Sequence, residues 1–367
     1  MPQPTHFKTT TGLSLPLPVF FPDATRAVLK TLDSSDIENS KTKGVLVNTY
    51  HLSNSPGKNV IKSSNGVRNY MSWDGAAISD SGGFQVMSLA KTLGGKNAVT
   101  DKGVTFKENG KKILFTPEIS IRMQMELKTD MVVVLDDFTT PQSSLDDAKA
   151  TVRRTLTWAA DCKKIFQKIV KEKHLTPDKT PYLLGVVQGG FFPDLRKECT
   201  KQLVDIGFDG LGYGGWPMNA DGTFNYEIAD IIRQHTPDNY LLYGLGIGKP
   251  QEVATMARSG WHIFDCVLPT RDARHKRLYV YNADTIDNID ISQSNFYSYY
   301  VPDKEKHYRD LLPISSACDC LLCSRYSRSY LSHLFRIKEM TAGRLATIHN
   351  LRFYSLLMEK LALEING

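Results

Sequence analysis

Carboxylates end several short apolar runs of this chain, an arrangement that costs free energy unless something answers the charge. Asp80 closes AAISD, Asp136 and Asp137 close MVVVLDD, and Asp265 lies inside HIFDCVLP. Gln188 follows YLLGVV, and Gly214 and Gly215 follow FDGLGY. Each has an ordinary explanation by itself: Asp80 before Ser81 suits an Asx turn, the paired aspartates suit a cap, and paired glycines suit a turn. Together they point elsewhere, because carboxylates at three strand ends around one rim are tolerated mainly where a ligand supplies hydrogen-bond donors. Asp136 and Gln188 offer the acceptors and the amide that match the edge of a planar heterocycle. Gly214 and Gly215 let backbone N–H groups approach that edge, and Phe84 and Tyr243 supply aromatic faces to sandwich it. A purine-like base fits such a pocket. Asp80 and Asp265 then remain, one as nucleophile and the other as general acid/base, the division of labour that breaks a glycosidic bond through a covalent intermediate.

A second constellation lies near the C-terminus. Cys318-x-Cys320-x2-Cys323, followed by His349, offers three thiolates and an imidazole, a closed tetrahedral zinc set of the structural kind. Incidental cysteines beside a core histidine are the plain alternative, but clustered free thiols are rare without a ligand role. Directly after Asp265 come Arg271, Arg274, Lys276 and Arg277. On charge alone they read as a solvated basic loop; beside a nucleophile they suit contact with a nucleic-acid backbone. Arg325, Arg328, Arg336, Lys338 and Arg344 extend that basic surface around the cysteines.

These side chains need a scaffold that brings strand ends together. Eight short runs recur along the chain: PVFFP, GVLVNTY, AAISD, MVVVLDD, YLLGVVQGG, FDGLGYGG, YLLYGLGIG and HIFDCVLP. Most are continuously apolar, the mark of parallel strands buried on both faces. Intervening segments such as 144–170 and 194–207 show helical spacing and start from Ser or Asp caps. Eight such units predict an α/β fold, a (β/α)8 TIM barrel, whose strand C-termini share one rim. A doubly wound open sheet is the other candidate, but no GxGxxG opens a helix after an early strand. Segment 91–112 is polar and glycine-rich and predicts a long loop with room for a hairpin. Segment 281–323 lacks the pattern and predicts an insertion carrying the cysteines, with a helix from about Asn350 to Leu363 returning to the barrel. The expected boundaries are a barrel over 1–307, a zinc-binding subdomain over 308–352 and a closing helix over 353–367.

Composition is consistent with this. The chain has 367 residues, 41% hydrophobic and 23% charged, enough for a substantial core. A net charge of +6 is explained as easily by a solvated surface as by a polyanionic partner. Neither a signal peptide nor about 18 consecutive apolar residues is present, so the sequence predicts a cytoplasmic protein without a membrane segment.

The runs NTYHL (48–52), SDSGGFQVMSL (79–89), VVQGG (186–190), GLGIGKP (244–250), FDCVLPTR (264–271) and CDCLLC with His349 occur in one order along nearly the whole chain. In them the sequence resembles the queuine tRNA-ribosyltransferases, also called tRNA-guanine transglycosylases. The resemblance implies a (β/α)8 barrel with an inserted zinc subdomain. It also implies a pentosyltransferase that replaces guanine at the wobble position of certain tRNA anticodons with a 7-deazaguanine. Carried over by motif, Asp265 is the nucleophile that attacks ribose C1′ and Asp80 the general acid/base. Asp136, Gln188 and Gly215 recognise the purine edge, and Arg271 and Arg274 contact the anticodon. Cys318, Cys320, Cys323 and His349 hold one structural Zn2+ per chain. Family members act as homodimers, and the segment 330–339 is the natural interface helix. The bacterial branch uses 7-aminomethyl-7-deazaguanine (preQ1), the eukaryotic one queuine, and the archaeal one a 7-cyano base at another tRNA position. Archaeal members carry further C-terminal RNA-binding domains, and a chain ending soon after His349 is expected to be of the bacterial type.

The chain departs from that pattern in the pocket. Phe138 stands where bacterial members usually have Cys, and GGWPMNA (214–220) stands where they have GGLAVGE. Trp216, Pro217 and Met218 therefore replace smaller residues, and Ala220 replaces a glutamate, with Asp221 beside it. An altered pocket around the base substituent follows, with preQ1 favoured over bulky queuine. Two alternatives stay open: a non-catalytic relative that binds RNA or a partner, and a transglycosylase using queuine, another deazaguanine or another polynucleotide.

Overall fold

The computed structural model describes residues 2–93, 98–108 and 110–367. Each of the eight apolar runs forms a strand: β1 (Val19–Pro22), β2 (Gly44–Val47), β3 (Ala76–Ser79), β4 (Met131–Val133), β5 (Tyr182–Val187), β6 (Gly210–Tyr213), β7 (Leu241–Gly244) and β8 (Ile263–Cys266). They lie in the order β1-β8-β7-β6-β5-β4-β3-β2, with every ladder parallel. Nearly all their residues are buried, which is why the runs do not alternate: one side faces the barrel interior and the other the helices. The eight-stranded sheet curls into a nearly closed barrel. Between β1 and β2 the contact is an isolated bridge, Asp23 to Leu46, with Ala24 N donating to Leu46 O at 2.7 Å and Asn48 N to Thr25 O at 3.2 Å. The Phe21 ring packs over Gly44 there, where a Cβ would come within 2.2 Å of Phe21 Cε1. Only glycine lets that ring seal the seam.

The outer layer contains α1 (Ser34–Asn39), α2 (Gly83–Leu93), α3 (Pro117–Leu127), α4 (Leu145–Glu172), α5 (Pro193–Ile206), α6 (Tyr226–Gln234), α7 (Pro250–Arg258) and α8 (Leu268–Arg274). The expected Ser cap holds for α4: Ser144 and Asp147 form a capping box. Within 91–112 an antiparallel pairing of Gly103–Glu108 with Lys111–Phe115 runs from Val104↔Phe115 to Glu108↔Lys111. Residues 94–97 and 109 of that expected loop lie outside the described residues. After α8 come an antiparallel hairpin (Leu278–Tyr281 with Tyr297–Tyr300) and the short helices α9 (Leu321–Arg325) and α10 (Arg328–Arg336).

The final helix differs from expectation. It runs unbroken over Met340–Asn366 as α11, so it starts ten residues before Asn350 and the expected boundary at 352/353 falls inside it. Its buried positions include Thr347, His349, Asn350, Arg352 and Ser355, polar residues that blur any apolar stripe. Each has a bonding reason. Asn350 donates to Pro269 O and Arg277 O at 3.0 Å, and Ser355 donates to Ser40 O at 2.8 Å. Arg352 pairs with Asp319 at 2.5 Å and Glu359 at 2.8 Å. Thus α11 begins against the cysteine-bearing segment and ends on the barrel, where Asn366 donates to Leu17 O at 2.8 Å.

Candidate active site

The C-terminal rim of the barrel surrounds a cavity of about 460 Å³. Asp80, Asp136 and Asp265 all line it, together with Phe84, Phe138, Gly214, Gly215 and Trp216. Asp80 stands one residue past β3, held by donors on two sides. Asn48 Nδ2 donates to Oδ2 at 2.6 Å, while Thr49 N and Gly82 N donate to Oδ1 at 3.1 and 3.0 Å. Asn48 also caps the helix Thr49–Leu52, its Oδ1 accepting from His51 N at 2.9 Å. One side chain thus fixes both a helix start and the carboxyl. Burial pushes the Asp80 carboxyl up to about 7, and the three donors restrain the shift.

Asp265 lies within β8. Gly246 N donates to its Oδ1 at 2.8 Å, and burial again raises the carboxyl above its ordinary range. Tyr243, from the neighbouring β7, is fully buried and absent from the cavity lining. Its hydroxyl lies beside the Asp265 carboxyl. Asp136 is pushed up to about 6, chiefly by burial, while Gln188 Nε2 donates to its Oδ2 at 2.6 Å. Gln188 is itself fully buried behind the lining, its Oε1 accepting from Thr139 N at 3.3 Å. Gly214 must lack a side chain, since a Cβ would come within 2.7 Å of both Gln188 Nε2 and Val187 O. Asp137 turns away and pairs with Arg154 at 2.6 Å. Phe84, 59% exposed, meets Phe138 edge-to-face at 5.4 Å, and Trp216 is 48% exposed on the same cavity.

Two residues of the site, Asn48 behind Asp80 and Asp23 on the cavity, escaped the sequence reading. Asn48 carried no chemical role there, although its spacing before a short helix is a cap signal. Asp23, directly after β1, also lines the cavity; it ends an apolar run as Asp80 does, and that was the signal.

The basic residues after Asp265 are dispersed. Arg271 and Arg277 are exposed, and Arg277 lies 5.1 Å over the Tyr299 ring. Arg274 donates to Thr270 O at 2.7 Å, and Lys276 pairs with Asp303 at 2.7 Å. Arg274 and Lys276 share a surface depression with Arg336 and Lys338. Farther away, Cys318, Cys320, Cys323 and His349 place their ligand atoms within 4.8 Å of one another. The three sulfurs stand 3.7, 3.5 and 3.2 Å from His349 Nδ1; a tetrahedral zinc with ordinary bond lengths requires about 3.6 Å. Nε2 of the same ring contacts Tyr279 O at 2.8 Å, which leaves Nδ1 free to ligate. The donor set fits a metal.

The structure is thus a (β/α)8 barrel with a carboxyl-lined cavity at the C-terminal rim of its strands and a separate Cys3His cluster outside that cavity. The chain belongs to the queuine tRNA-ribosyltransferase family, whose model matches residues 5–366. A queuine tRNA-ribosyltransferase of Blochmanniella pennsylvanica is 37% identical over 94% of this chain and 87% of its own length. Counterparts in Psychrobacter cryohalolentis and Solidesulfovibrio magneticus are 35% and 34% identical, over 94% and 96% of this chain and 85% and 88% of theirs. Among the described residues no helix is long and apolar enough to cross a membrane.

Proposed function

We propose that this chain is a tRNA-guanine transglycosylase of queuosine modification that exchanges the wobble guanine for preQ1 through a covalent Asp265–ribose intermediate. The observation that carries the reading is the convergence of Asp80, Asp136 and Asp265 on one cavity. Asp136, steadied by Gln188, accepts from the N–H groups of the base edge, and Phe84 and Phe138 give it an aromatic wall. An Asp265 oxygen attacks C1′ as the C1′–N9 bond breaks, and the bonding pair leaves with guanine. Asp80, with its carboxyl near 7, delivers the proton that neutralises the leaving base. The incoming base loses its N9 proton to Asp80, attacks C1′ and frees Asp265, so the proton count closes.

The base preference follows from the wall at 216–217. The Trp216–Pro217 peptide has no N–H, so it offers a substituent only its carbonyl. That suits the ammonium of preQ1 and fails the acceptor nitrile of the 7-cyano base. Arg274, Lys276 and the neighbouring basic residues hold the tRNA backbone with Arg271 and Arg277. Cys318, Cys320, Cys323 and His349 hold a structural Zn2+, and the segment 330–339, containing most of α10, forms a homodimer interface.

Trapping on denaturing gels tests the chemistry. The wild type should form a covalent tRNA adduct and Asp265→Asn should form none while still binding tRNA; an adduct that persists removes Asp265 from its role. Exchange assays with preQ1, the 7-cyano base and queuine test the wall, and full activity with queuine alone overturns the preQ1 assignment.

A further inference from the structure

Asp23 has no part in the reaction as written. It follows β1, the strand that pairs with β8 in the register Asp265↔Phe21 and Cys266↔Pro22, so it stands at the rim next to the nucleophile. Its Oδ1 is sealed from solvent without a hydrogen-bond donor, while the residue as a whole is half-buried and lines the cavity. That leaves Oδ2 as the oxygen a ligand can reach. A carboxyl oxygen open to the cavity beside the nucleophile can accept a hydrogen bond from a substrate hydroxyl.

Stereochemistry says which hydroxyl. In a β-nucleoside the base stands on one face of the ribose, and a nucleophile displacing it at C1′ approaches from the other. The 2′- and 3′-hydroxyls project on that second face. A carboxyl flanking the nucleophile therefore meets the hydroxyl nearest C1′.

We propose that Asp23 accepts a hydrogen bond from the 2′-hydroxyl of the ribose that Asp265 attacks, and thereby makes the enzyme selective for RNA over DNA. The inference rests on the transglycosylase reading above. Positive charge developing at C1′ acidifies the 2′-hydroxyl, so the bond strengthens in the transition state and raises the rate instead of merely tightening binding. Three charged groups face Asp23. Asp265 and Asp80 add to burial in raising its carboxyl, and Arg271 opposes them. Asp23 is then the neutral acid of the Asp23–Asp265 pair, donating with one oxygen to the Asp265 carboxylate and accepting with the other. Asp265 stays anionic, as a nucleophile must.

The test uses the full-length protein and two anticodon-stem RNAs that differ only in a guanosine or 2′-deoxyguanosine at the exchanged position. Labelled guanine is the incoming base. The wild type should prefer the ribo substrate by roughly ten- to a hundredfold in kcat/KM, the range of one hydrogen bond that strengthens with charge. Asp23→Val should lose about that factor on the ribo RNA and less than about threefold on the deoxy RNA, so the preference collapses towards unity. Asp23→Asn, which keeps an acceptor and a donor in the same volume, should retain most of the preference. Asp23→Ala repeats the comparison if the valine variant fails to fold. Equal losses on both RNAs in a folded variant, or an asparagine variant that behaves like valine, overturn the proposal. Full exchange with no ribo preference in the wild type overturns it alone, whereas no exchange on either RNA overturns the transglycosylase reading and this inference with it.

Discussion

Asp80 shows how one carboxyl is tuned by opposing forces: burial raises it, and Asn48, Thr49 and Gly82 pull it back to about 7. A proton donor must carry its proton before guanine departs, so single-turnover adduct formation should fall as pH rises through about 7, approaching tenfold per pH unit above it. Asp80→Asn should slow the step by at least about a hundredfold and remove that limb. A limb that survives the substitution assigns the proton to another group. At this scale the sequence was legible where an apolar run ends in a carboxylate, which exposed Asp80, Asp136 and Asp265. Gln188 and Tyr243 were found as residues, but their burial behind the cavity lining was not, because spacing along a strand cannot tell a lining side chain from one behind it. Asp23 obeys the same rule as Asp80, standing directly after the run PVFFP.

At the scale of elements, α11 joins two parts of the molecule. His349 presents Nδ1 to the three cysteines from a helix that continues onto the barrel, where Tyr354 donates to Gly248 O at 2.5 Å. Replacing the almost fully buried Cys320 by Ser removes a ligand and loosens the start of the helix that covers the barrel. Bound metal should fall from about one per chain to near zero, and the protein should lose more than about 2 kcal/mol of stability. Elemental analysis and thermal melts check both, and a variant without metal that melts like the wild type would show that the cluster carries no fold. The cysteine spacing announced this centre from sequence. The extent of α11 was hidden because Thr347, Asn350, Arg352 and Ser355 are buried with internal partners, and the expected polar face never forms.

For the molecule as a whole, eight apolar runs were enough to predict a closed parallel barrel, since each strand is hidden on both faces. What the runs could not reveal is where the ring is weakest. Some neighbouring strands share long ladders, such as the four pairs between β5 and β6, whereas β3 and β4 share the single pair Ile78↔Met131 and β1 and β2 meet through an isolated bridge. Local opening follows the fewest bonds. In deuterated water the amides of Ala24 and Asn48 should therefore exchange sooner than those of β6, at least about tenfold faster. The seam on the side of Asp23 then opens while β6 stays paired on both edges.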